Sequence, residues 1–272
     1  MNRFQAVFGT RKPIIGMVHL PPLPGSPRYD AKRGMRYIID HALEDTAALL
    51  EGGIDGVQVG NQFDRPFLKP QDIGPETVAA ISAAATRIRA SFQIPMGVNV
   101  HLNGVRQGIA VAVAAGCQWV RAFELANAYI SNAGLIEAAG PEAMRYRAFL
   151  RSEQSVMIFG DFQVKHGSHA ITADRTLEDQ AEDVQTALAD AVIVTGGSTG
   201  TAPTPADIER IRKAVSIPVL IGSGLSAANL DQLLPLVDGA IVGTSFKVDG
   251  RLDNPVAVDR VRRFMEKVQA NR

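Results

Sequence analysis

The sequence predicts an α/β fold, a (β/α)8 TIM barrel forming a single domain over residues 1–272. Three observations carry that prediction. Eight short runs rich in Val and Ile, bounded by Gly or Pro, alternate with stretches of helical spacing, as a parallel sheet covered by helices requires. The length of 272 residues is close to that of a typical eightfold barrel. The last two runs each end in a glycine-rich turn, where barrels of this kind carry a phosphate site. A doubly wound open sheet is the alternative architecture.

The strand candidates, in order, are 14–19, 56–60, 96–101, 118–123, 156–164, 191–195, 218–223 and 240–244. The first leads into Leu20-Pro-Pro-Leu-Pro-Gly-Ser-Pro27, a loop stiffened by proline rings. Ile38, Ala42, Leu43 and Ala47 mark one face of a helix, and Ile208, Ile211 and Val215 mark another. Thr204 before Pro205 reads as an N-cap followed by the first helical residue. Ser226 is expected to open the helix after the seventh strand.

Lys plus Arg equals Asp plus Glu at 28 each, with no long run of one sign, which disfavours nucleic acid as a partner. The apolar runs are too short to span a bilayer, and the N-terminus lacks a continuous apolar leader, so a cytoplasmic protein without membrane insertion is expected. The single cysteine, Cys117, lies in an apolar run and reads as a buried inert thiol. Aromatic and Arg residues in Arg145-Tyr-Arg-Ala-Phe-Leu150 suggest a homo-oligomer.

Functional side chains of such a barrel gather at the C-terminal ends of its strands. Val219-Leu-Ile-Gly-Ser-Gly-Leu-Ser226 and Asp238-Gly-Ala-Ile-Val-Gly-Thr-Ser245 place Gly222, Ser223, Gly224, Gly243, Thr244 and Ser245 there as phosphate ligands. Glycines admit an anion close to backbone N–H groups, and a helix start adds partial positive charge. Strand five, Phe159-Gly-Asp-Phe-Gln-Val-Lys-His166, is the densest in ionisable groups. Period-two alternation puts Asp161, Gln163 and Lys165 on one inward face, with His166 starting the loop. Lys165 is then an electrophile, a proton donor or a Schiff-base amine oriented by Asp161; the alternative is a structural ion pair between the two. His19 and His101 complete the catalytic candidates. Asn61, Asn99, Arg121, Glu124, Thr195, Gly196 and Gly197 are the substrate-binding candidates. Asp161, His166, Glu124 and His101 have no close metal-ligand spacing, so no metal and no cofactor are expected.

Gly16-Met-Val-His-Leu-Pro-Pro-Leu-Pro-Gly-Ser-Pro27, Gly97-Val-Asn-Val100, Gly134-Leu-Ile-Glu137, Arg145-Tyr-Arg147, Val164-Lys-His166, Asp190-Ala-Val-Ile-Val-Thr-Gly196 and the segment from Gly239 to Gly250 resemble the BtpA family in order along the chain. The resemblance implies a ribulose-phosphate-binding barrel. It leaves two roles open, the photosystem I biogenesis for which the family is named and the carbohydrate metabolism of its SgcQ-like branch. The strand-two loop Asn61-Gln-Phe-Asp-Arg-Pro-Phe-Leu68 is closer to the second. The chain departs from the family pattern at Gly60, at Asn103-Gly104 and at Asn132-Ala133, where carboxylates are expected. The favoured function is an enzyme acting on a phosphorylated sugar or related phosphometabolite by lyase, isomerase or epimerase-type proton chemistry. The alternatives are a non-catalytic assembly factor and a nucleotide or nucleoside enzyme.

Overall fold

A computed structural model describes residues 3–196 and 202–272. Its strands are β1 (Ile14–His19), β2 (Gly56–Gly60), β3 (Met96–Asn99), β4 (Trp119–Ala122), β5 (Ala128–Ser131), β6 (Gly134–Glu137), β7 (Met157–Asp161), β8 (Ala191–Val194), β9 (Val219–Ile221) and β10 (Gly239–Val242). Eight of them close a parallel barrel in the order β1, β2, β3, β4, β7, β8, β9, β10 and back to β1. The fold is therefore the (β/α)8 barrel, and the open doubly wound sheet is excluded. β5 and β6 form an antiparallel hairpin between β4 and the next helix, which the sequence reading did not anticipate.

The helices α1 (Arg3–Phe8), α2 (Gly34–Glu51), α3 (Pro75–Ser91), α4 (Val105–Ala115), α5 (Gly140–Phe149), α6 (Leu177–Thr186), α7 (Pro205–Ala214), α8 (Leu230–Leu233) and α9 (Val258–Gln269) surround or cap it. Thr204 caps α7 as expected, its hydroxyl accepting the Asp207 N–H at 3.1 Å. α1 was not foreseen. It inserts Phe4 and Phe8 under the barrel, with ring centroids 5.7 Å from Phe159 and 5.2 Å from Trp119.

Strand alternation sorts the apolar residues into two cores. Ile15, Met17, Trp119, Met157, Phe159, Ile193, Leu220 and Ile241 fill the barrel interior with the two α1 rings. Val18, Val57, Val98, Val120, Ile158, Val192 and Ile221 pack outward against the helices. Burying each large side chain contributes about 1.5–3 kcal/mol. A buried Lys247–Asp45 ion pair ties α2 to the segment after β10. Among the described residues, no helix is long and apolar enough to cross a membrane.

Every barrel strand after β2 ends before its expected bound, and two of these differences bear on the site. β3 stops at Asn99 rather than residue 101, and β7 stops at Asp161 rather than residue 164. Gln163 has φ +50 and His166 φ +65, left-handed values that break the extended period. Asp161, Gln163 and Lys165 are thus not three positions of one strand face.

Candidate active site

A cavity of about 600 Å³ opens at the C-terminal ends of the barrel strands, within the roughly 300–1,000 Å³ common for small-molecule sites. His19, Asn99, His101, Arg121, Lys165 and His166 line it, as do Gly222 to Gly224 and Gly243 to Ser245. The structure therefore brings most of the sequence candidates to one cavity. Asn61, Asp161, Glu124, Thr195 and Gly196 do not line it. Gly197 lies outside the described residues.

The predicted partnership of Lys165 with Asp161 is corrected. Asp161 is fully buried, and Arg121 takes both its oxygens, Nε and Nη2 each at 2.7 Å. Strand register explains the pairing: Arg121 aligns with Phe159 on the neighbouring strand, so Asp161 lies diagonally ahead of it. Lys165 instead donates from Nζ to the Ser223 hydroxyl at 3.0 Å, joining the β7 loop to the first glycine loop. Burial, reinforced by the Arg121 charge, lowers its pKa to about 8.

The histidines are held neutral. Burial pushes His101 down to about 3, with Arg121 and Lys165 adding repulsion. Its ring is stacked between Phe67 and Phe123, at 4.5 and 4.6 Å. Burial also holds His19 well below its ordinary value, with Lys247 opposing its protonation next. Both Nδ1 atoms are buried without a partner. His166 is more exposed, and burial lowers its pKa as well.

The two glycine loops are knitted together. Ser245 Oγ donates to the Leu225 carbonyl at 3.0 Å, and Asn229 Nδ2 donates to the Gly224 carbonyl at 2.9 Å. The expectation that Ser226 opens the following helix is corrected. Asn229 Oδ1 receives the Ser226 N–H at 2.8 Å, and α8 starts only at Leu230. The loops therefore lack a helix start at Ser226, and a side chain missed in the sequence adds positive charge instead. Arg260 lines the cavity and donates from Nε to the Ser245 carbonyl at 2.9 Å. Its signal in the sequence was a cation in the first turn of a helix, where the macrodipole disfavours one. Arg65, Phe67, Phe123 and Tyr129 also line the cavity and were missed.

Other candidates have structural partners. Asn61 accepts the His101 N–H at 2.8 Å and donates to Asp64 at 3.2 Å, fixing the strand-two loop. Thr195 Oγ1 donates to the Gln163 carbonyl at 3.5 Å. Two of the three family departures have local contacts behind them, and nothing in the structure explains Asn132-Ala133. A Cβ on Gly60 would lie 2.5 Å from Asn99 Oδ1, and one on Gly104 would lie 2.7 Å from Ile73 Cδ1. Asn103 clamps the backbone of Glu124, donating to its carbonyl at 2.9 Å and accepting its N–H at 3.0 Å. Among the described residues, no group of three or more His, Cys, Asp or Glu could hold a metal ion.

Burial, with nearby Asp161 adding to it, raises the Glu124 pKa from 4.5 to about 9. The native chain then holds a proton that the unfolded chain releases above pH 4.5. Stability contributed by this group therefore falls as pH rises from about 4.5 to about 9. Glu124→Gln, which mimics the neutral acid, is expected to flatten that slope and to raise stability by more than about 1 kcal/mol at pH 8. Urea unfolding at pH 5 and pH 8 measures both, and parallel pH profiles for variant and wild type contradict the assignment.

A closed parallel barrel with a cavity at its C-terminal face defines the class, a (β/α)8-barrel protein whose cavity lies where such folds carry their sites. The chain belongs to the BtpA family, which it matches over residues 10–270. It is 38% identical over 254 residues to an uncharacterised protein of Archaeoglobus fulgidus, covering 93% of this chain and 97% of that one. It is 35% identical over 267 residues to the photosystem I biogenesis protein BtpA of a Synechocystis strain, covering 98% and 91%. Among solved structures it is similar to tryptophan synthase of M. tuberculosis in its aminoacrylate-bound form. That match has a TM-score of 0.60 and 20% identity over 99% of both chains, a likeness of fold alone.

Proposed function

We propose that this protein is an enzyme acting on a phosphorylated sugar or related small phosphometabolite by lyase, isomerase or epimerase-type proton chemistry. The observation that carries the reading is a half-buried amine set against two glycine loops, with Lys165 Nζ 3.0 Å from Ser223 Oγ inside the cavity that also holds Gly224, Thr244 and Arg260. The phosphate sits on the two glycine loops, with Arg260 supplying charge. The rest of the ligand reaches toward Lys165, Asn99 and His19. With a pKa of about 8, about a tenth of the Lys165 amines are neutral at pH 7, enough to take a proton or attack a carbonyl. Arg121 lines the site, held by Asp161, and contributes positive charge to it. The self-association expected from the sequence belongs to the same proposal; Phe149, 79% exposed, offers the surface for it.

Inorganic phosphate tests the cradle. Calorimetric titration is expected to give saturable binding that Gly224→Val weakens by at least about tenfold, since a Cβ would block the anion and a branched residue strains the φ of +82 found there. Equal affinity in the variant, or phosphate bound elsewhere in a soaked crystal, overturns the reading. The second reading, a non-catalytic assembly factor, draws on the name of the 35% identical Synechocystis relative. It predicts that Lys165 substitutions leave the cellular role intact.

A further inference from the structure

One hydrogen-bond chain runs from the buried barrel interior to the cavity lining, with a direction that its first member dictates. Trp119 Nε1, which can only donate, reaches Gln58 Oε1 at 3.0 Å. Gln58 must therefore turn its amide nitrogen the other way. That nitrogen meets two acceptors, Asn99 Oδ1 at 3.0 Å and the Met17 sulfur at 3.4 Å. Asn99 in turn must show its oxygen to Gln58, which leaves its own amide nitrogen turned away from that partner. Asn99 is 1% exposed, lines the cavity, and its Nδ2 has no partner.

Two glycines make room for this chain. A Cβ on Gly97 would lie 2.0 Å from the Trp119 indole nitrogen, and one on Gly60 would lie 2.5 Å from Asn99 Oδ1. Both would displace a member of the chain. A buried amide with two unpaired hydrogens is unfavourable in a core, so its retention in a cavity that Lys165 and His19 also line points to a ligand atom that completes it.

We propose that Asn99 Nδ2 is a preorganised donor for a carbonyl oxygen of the ligand, and that Gln58 and Trp119 are positioning residues that lock its polarity. The substrate class is thereby narrowed to phosphoesters that carry a carbonyl within reach of both Asn99 and Lys165. An oxygen that gains negative charge as a proton leaves its neighbouring carbon would be held more strongly still, because the donor is fixed before the charge develops. This inference rests on the phosphate reading above.

The test uses three probes: inorganic phosphate, dihydroxyacetone phosphate, and propane-1,3-diol monophosphate, which lacks the carbonyl oxygen. The wild-type protein is expected to prefer the ketone over its deoxygenated analogue, and Asn99→Ala to reduce that preference by about three- to tenfold while phosphate affinity stays unchanged. Trp119→Phe frees Gln58 to turn and is expected to reduce the preference in the same direction without touching the ligand. Should that variant fail to fold, Gln58→Met releases Asn99 from the same restraint. A merely structural Asn99 would lower the melting temperature and leave the ratio of the two affinities alone. An unchanged ratio in Asn99→Ala with phosphate still bound overturns this inference only. Absence of phosphate binding in the wild type overturns the underlying reading as well.

Discussion

Lys165→Met is expected to abolish turnover while leaving fold and phosphate binding intact. Methionine keeps the length of the stem, so the cavity wall is preserved, but it carries no amine to move a proton or attack a carbonyl. Stability is expected to change by less than about 1 kcal/mol, the worth of one hydrogen bond from Lys165 to Ser223. This differs from what an Asp161–Lys165 ion pair implies. If Lys165 were the partner of Asp161, its loss would strand a buried carboxylate at about 3–5 kcal/mol. The carboxylate is already held by Arg121 through two bonds, so the variant should melt near wild type. Phosphate affinity by calorimetry, thermal unfolding, and borohydride trapping with a carbonyl phosphoester separate the outcomes. A fully active variant, once a turnover assay exists, removes Lys165 from the chemistry. A large loss of stability would return it to a structural role.

How much of this was legible in the sequence depends on the range of the interaction. β1 and β2 have the predicted bounds, because Gly and Pro punctuate Val- and Ile-rich runs locally. β7 was drawn too long because the polar alternation of Asp161, Gln163 and Lys165 continues past the strand, and nothing local announces the left-handed φ at Gln163. The β5–β6 hairpin was invisible for the opposite reason. Its strands have four residues each, too few for a period to register. The cavity candidates at strand ends followed from the barrel alone, since all those ends converge. Their pairings did not. Arg121 and Asp161 are 40 residues apart, and only the β4–β7 register makes them neighbours. The Trp119, Gln58 and Asn99 chain spans three strands and likewise needs the closed sheet.

Arg121→Met is expected to give the largest loss of stability of any single change at the site, about 3–5 kcal/mol, or on the order of 10 °C in melting temperature. Asp161 is fully buried, and both of its oxygens are satisfied by this one guanidinium. Removing the partner leaves an uncompensated charge that must be protonated or solvated. The pH dependence follows from the same balance. In the wild type, burial raises the Asp161 pKa while the Arg121 charge and hydrogen bonds pull it down. Without Arg121 the raising influence is less opposed. A carboxyl with a raised native pKa holds a proton that the unfolded chain releases, so the variant loses stability as pH rises above the ordinary carboxylate value. Its deficit relative to wild type should therefore shrink as pH falls toward about 4, the unperturbed Asp range. Adding Asp161→Leu to Arg121→Met should recover much of the loss, because an apolar pair of similar volume removes the stranded charge. Denaturant unfolding of the single and double variants at pH 7 and near pH 4 measures each step. A pH-independent deficit, or one below about 1 kcal/mol, would mean that Asp161 does not depend on Arg121 for its charge. If Arg121, which lines the cavity, also serves the proposed phosphate ligand, the double variant should still fold yet lose affinity for inorganic phosphate; unchanged affinity would leave the pair a structural role alone.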